Sequence, residues 1–85
     1  MAQWIFTRDH ISDGRAEGTC SRSYQGDKSA VPHPFRMKDD DRELYYSGLS
    51  SCDSSFAPLD DFGGPDSGCT IIEYKNPKTQ AWEIL

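Results

Sequence analysis

The densest run of reactive side chains in this chain is Asp39-Asp40-Asp41-Arg42-Glu43, with Asp60-Asp61 and Asp66 following downstream. Carboxylates this close together suggest three kinds of chemistry: cation binding, acid–base catalysis, or charge recognition of a basic partner. A calcium loop needs oxygen ligands at set positions, a sharp glycine turn near its sixth residue and a closing bidentate acid. Here the sixth residue is Leu44, already in a strand-like run, so the segment is expected to be an acidic hairpin turn. Zinc would need four converging Cys or His ligands. His10, Cys20, His33, Cys52 and Cys69 are numerous enough, but none stands at short ligand spacing. No metal and no cofactor are expected.

Nucleophilic catalysis is not favoured either. Serines abound, but no nucleophile elbow precedes a helix, and a chain of 85 residues builds little cleft around one. Gly63-Gly64-Pro65-Asp66-Ser67-Gly68 is glycine-rich, but it lacks the Gly-Lys-Ser/Thr ending of a phosphate loop, and its acid would repel phosphate. Aromatic rings on a small sheet can stack single-stranded bases where a basic groove surrounds them. Tyr45 and Tyr46 instead follow three aspartates closely, so sheet packing is their expected role. The chain is therefore expected not to be an enzyme, and not to bind nucleic acid directly.

Charge recognition is the reading that survives. The formal net charge is −5, and it is unevenly spread. Residues 1–38 balance at +2, residues 39–66 at −7, and residues 67–85 at zero. Such a local field attracts cationic surfaces and repels nucleic acid and anionic membrane. The expected partner-binding residues are Asp39, Asp40, Asp41, Glu43, Tyr45, Asp60, Asp61 and Asp66, with Tyr45 as an aromatic anchor beside the acids.

The elements that must position these residues follow from turn signals and alternation. Eighty-five residues make a single domain, 1–85, whose core must use most of its large apolar side chains. Trp4-Ile5-Phe6-Thr7-Arg8 is strand-like, Ser12-Asp13-Gly14-Arg15 has the makings of a hairpin turn, and residues 16–23 are a weak return strand. Pro32 and Pro34 around His33 argue for a loop from Gln25 to Pro34. Phe35-Arg36-Met37-Lys38 alternates apolar and basic, the acidic run reverses the chain, and Leu44 to Leu49 returns. Residues 56–63 suggest one or two helical turns, capped by Ser54 or Ser55 and ended at Gly63. A last hairpin joins 69–75 to 81–85 through Asn76-Pro77-Lys78-Thr79.

The expected fold is mainly β: a single small antiparallel sheet or half-barrel of about five to six strands with one short helix. Its core is expected from Trp4, Phe6, Phe35, Met37, Leu44, Tyr46, Leu59, Phe62, Ile72, Trp82 and Ile84. Three cysteines without a Cys-x-x-Cys pair suit reduced thiols. With no membrane-length apolar run and no signal-like start, a cytoplasmic setting is expected.

The stretch Phe35 to Gly48, with Ser55-Phe56-Ala57-Pro58-Leu59-Asp60-Asp61-Phe62-Gly63 and Gly68-Cys69-Thr70, resembles a group of small bacterial and prophage proteins with the same aspartate-run and final-hairpin pattern. The resemblance covers nearly the whole chain and implies no activity and no catalytic residues. In size and acidity the chain is also similar to anti-CRISPR proteins of phages and mobile elements. That likeness implies an inhibitor whose acidic patch blocks a basic nucleic-acid-binding surface on a CRISPR–Cas effector subunit. The alternative is a bacterial accessory or interaction protein without nucleic-acid mimicry, binding through an apolar face.

Overall fold

The computed structural model describes residues 3–11, 14, 16–64 and 68–85. Five strands form one open antiparallel sheet: β1 (Trp4–Asp9), β2 (His33–Lys38), β3 (Leu44–Ser50), β4 (Ile71–Lys75) and β5 (Trp82–Ile84), in the order β1-β3-β2-β4-β5. A 3₁₀ turn at Lys28–Ala30 and a π turn at Leu59–Gly63 complete it. The mainly-β expectation holds, with the sheet open and five-stranded. No helix among the described residues is long and apolar enough to cross a membrane.

Two of the three expected hairpins form. β2 turns into β3 through the aspartate run, and β4 turns into β5 after Asn76, whose Oδ1 accepts the Lys78 N–H at 2.8 Å. The expected first hairpin forms only in rudiment. Its turn falls partly outside the described residues, and its return segment is not a strand: only Cys20 bridges to Ile5. Gly18 adopts φ +85°, which breaks an extended run, and of 16–23 only Ala16 is buried. The segment still covers the outer edge of β1, through Phe6 N–H to Thr19, Gly18 N–H to Phe6 and Ser21 N–H to Trp4. Buried Asp9 ties down the wide loop by accepting the N–H groups of Ile11 and Ala16. The main ladder of β1 is with β3 instead, Trp4 opposite Ser50 and Phe6 opposite Gly48.

A second correction concerns the prolines. β2 begins at His33 and contains Pro34, although the strand is central in the sheet. Pairing with β4 starts only at Phe35, so at Pro34 the strand has one ladder neighbour and the missing N–H costs no bond on that side.

One face of the sheet carries the core. Trp4, Phe6, Phe35, Met37, Tyr46, Ile72 and Tyr74 project onto it, and Leu59 and Phe62 from the π turn close over them. Phe6 is the hub: it stacks on Tyr46 at 5.2 Å and meets Phe62 edge-on at 4.9 Å and Phe35 at 5.9 Å. Gly48 makes this geometry possible, because a Cβ there would strike the Ile5 carbonyl oxygen and lie 2.7 Å from the Phe35 ring. Ser55 Oγ accepts the Ala57 N–H ahead of the helical piece. The π turn itself starts later than expected, after Pro58 and without a capping side chain, and Gly64 in place of Gly63 caps its end. Gly64 N–H then bonds the Leu59 carbonyl five residues back, which makes the turn π.

Three expected core residues lie elsewhere. Lys75 faces Trp82 and Glu73 faces Ile84, which puts both apolar side chains on the opposite face; Trp82 is half-buried and Ile84 is 56% exposed. Leu44 is half-buried beside the irregularity between Met37 and Lys38. Tyr74 takes their place in the core, and its hydroxyl donates to the Ser55 carbonyl at 2.6 Å.

Candidate functional site

The β2–β3 turn is built by one of its own acids. Asp39 Oδ1 accepts the N–H groups of Asp41 and Glu43, both at 2.9 Å. The backbone closes with Arg42 N–H to the Asp39 carbonyl and Asp39 N–H to the Glu43 carbonyl. Arg42 sits at φ +64°, the left-handed conformation this tight reversal requires. Asp40 is anchored separately, accepting the Thr70 hydroxyl at 2.6 Å. The Tyr45 phenol hydrogen-bonds Asp39, and that bond pushes its pKa above the ordinary tyrosine value. Asp40, Asp41 and Glu43 remain exposed; Asp39 and Tyr45 are half-buried.

Five of the expected partner-binding residues thus share one tip: Asp39, Asp40, Asp41, Glu43 and Tyr45. Asp60 and Asp61 do not join them. They are exposed on the π turn and line a groove with Trp4, Ser21, Phe56 and Ala57. Trp4 pairs with Ser50, six residues along β3 from Leu44, or roughly 20 Å of strand from the tip. Asp66 lies outside the described residues. Asp53 borders a hollow of about 390 Å³ at the β4–β5 end, beside Lys75, Lys78 and Glu83.

Beneath the tip, Cys69 is buried, and that burial, reinforced by Asp39, pushes its thiol up to about 11. Cys20 is exposed and Cys52 half-buried, and all three thiols are free. Among the described residues no three His, Cys, Asp or Glu side chains converge as a metal site would require.

Sequence reasoning did not anticipate the opposite face of the sheet. Register places Arg8, Ser47, Arg36, Glu73 and Ile84 in one row across all five strands. Glu73 is the hub of the charges. Arg36 Nε reaches its Oε1 at 2.5 Å and Lys38 Nζ at 3.2 Å. Burial works against ionising Glu73, yet the hydrogen bonds and charges of Arg36 and Lys38 prevail and hold its carboxyl below the usual value. The Arg36 guanidinium also stacks 4.3 Å from the Trp82 ring centroid. The signal was present in the alternation of Phe35-Arg36-Met37-Lys38 and Ile71-Ile72-Glu73-Tyr74-Lys75, but the register that joins them is long-range.

No protein-family model, no curated protein and no solved structure matches this chain.

Proposed function

We propose that this chain acts by binding and not by catalysis, and that its acidic β2–β3 tip engages a cationic protein surface, of the kind that otherwise holds nucleic acid. The observation that carries this reading is the division of labour within the tip. Asp39 is occupied by backbone N–H groups and Tyr45, which stiffens the turn. Asp40 is steadied by the Thr70 hydroxyl yet stays exposed, and Asp41 and Glu43 project exposed beside it. Carboxylates held on a rigid turn lose less entropy on docking than the same charges on a loose loop. Their field also raises the encounter rate with a positive groove. A CRISPR–Cas effector subunit is the partner class that the likeness in size and acidity favours.

The test uses Asp40→Lys/Asp41→Lys/Glu43→Lys, which leaves the turn-forming Asp39 in place. Purified effector complexes are loaded with labelled target DNA or RNA, and displacement is followed by fluorescence anisotropy across a salt series. The expected result is displacement by the wild type that weakens as salt rises and disappears in the triple variant. Equal displacement by the triple variant would refute the reading. Binding indifferent to salt would favour instead an accessory interaction protein that docks through apolar contacts.

A further inference from the structure

We infer that the groove between residues 19–23 and the π turn is a second binding site, one that takes a short segment of a partner polypeptide bearing an arginine or lysine between apolar residues. The groove measures about 910 Å³, within the roughly 300–1,000 Å³ range of ligand-sized sites. Trp4, Phe56, Ala57 and Phe62 give it apolar walls, and Asp60 and Asp61 stand on its rim against one base, Arg22. Three observations point to this occupant.

Trp4 is 3% exposed, yet its indole N–H finds no acceptor among the described residues. A buried donor without a partner is a standing cost to the fold, so a carbonyl that reaches the nitrogen as the groove wall gives way is favoured. The backbone of Trp4 is already satisfied, its N–H by Ser21 Oγ and its carbonyl by Ser21 N–H, which leaves the indole as the unmet group. Phe56 is 46% exposed on the groove wall, an apolar ring with water on one side and room to turn as a ligand enters. Finally, the two exposed carboxylates complement a cation. A peptide supplies all three requirements at once: a carbonyl, an apolar side chain and a guanidinium or ammonium group. The occupant does not extend the sheet, because residues 18–21 already cover that edge of β1. The site is independent of the acidic tip and stands or falls apart from it.

The two tryptophans make the test internal, since Trp82 lies on the opposite face. The ¹⁵N-labelled protein is titrated with the acetylated, amidated pentapeptide Gly-Leu-Arg-Leu-Gly and with its Glu counterpart, following both indole N–H signals. The expected result is a downfield shift of the Trp4 signal by the Arg peptide alone, with Trp82 unmoved. Asp60→Asn/Asp61→Asn should weaken that binding about threefold to fivefold. Trp4→Phe should weaken it about threefold to tenfold, read from backbone amides around Ala57. That this variant stays folded is checked by its retained amide spectrum, because the smaller ring gives up core packing on Phe6 even as the orphaned donor goes. Asp40→Lys/Asp41→Lys/Glu43→Lys should bind the peptide as the wild type does. A Trp4 signal indifferent to the Arg peptide, an equal response to the Glu peptide, or unchanged affinity in the Asp60/Asp61 variant would overturn the site.

Discussion

Asp39 and Glu73 are two carboxylates on the same small sheet, and they use their charge in opposite ways. Asp39 turns inward on its own chain: its oxygen holds two backbone N–H groups and shapes the loop that carries three more acids. Glu73 reaches across strands and is buried between Arg36 and Lys38, with Trp82 stacked against the arginine. At the tip the local bonds leave excess negative charge exposed. On the sheet face the one acid is neutralised and its two bases leave a positive charge over. Charge counted along a sequence therefore says little about charge available to a partner. Availability depends on which backbone and side-chain groups the fold brings to each carboxylate.

That contrast can be tested by removing each acid. Glu73→Ala should have the largest effect, destabilising the domain by about 1–3 kcal/mol in urea unfolding. It stays below the roughly 3–5 kcal/mol of breaking a fully buried pair because Arg36 and Lys38 keep some access to water. Asp39→Ala should cost about 1 kcal/mol, the scale of a lost capping carboxylate, and should sharpen amide exchange at Asp41 and Glu43 specifically. A loss at Asp39 larger than at Glu73 would reverse the comparison.

The pH dependence separates the two further. The folded Glu73 carboxyl lies below its reference value of 4.5, so its stabilisation is fully present above that pH and drains as pH falls through the folded pKa. The stability gap between wild type and Glu73→Gln should accordingly be constant near neutrality and close in acid. A gap that widens toward pH 3 would contradict the pairing. At the alkaline end, the Tyr45 phenol is raised by its bond to Asp39. Ultraviolet titration of Asp39→Asn should show one tyrosine ionising earlier than in the wild type. The smallest effect belongs to Asp41→Asn, whose exposed carboxylate makes no bond among the described residues; its stability should stay within about 0.5 kcal/mol of wild type while partner binding weakens.

Much of this molecule was legible in the residues. The alternation Phe35-Arg36-Met37-Lys38, the reversal at the aspartates and the Asn76-Pro77 turn are local signals, and each gave a hairpin in place. The pairing of β1 with β3 was not legible, because nothing in Trp4–Asp9 names a partner more than thirty residues away. The weak return segment, with Gly18 and small polar residues, took the other edge of β1 as a short irregular run, while β3 took the long ladder. At the candidate site, the sequence indicated Asp39 to Tyr45 as one unit, because a hairpin turn is contiguous. Asp60 and Asp61 were grouped with them only by sign of charge.

Composition and pattern by themselves determined the mainly-β class, the central hairpin and an acidic middle third, since these follow from side-chain preference and spacing over a few residues. Strand order, the outward placement of Trp82 and Ile84, the burial of Glu73 and the separation of Asp60 and Asp61 from the tip were decided only in three dimensions. Each depends on register between distant strands, and a one-residue difference in register moves a side chain from the core to the open face.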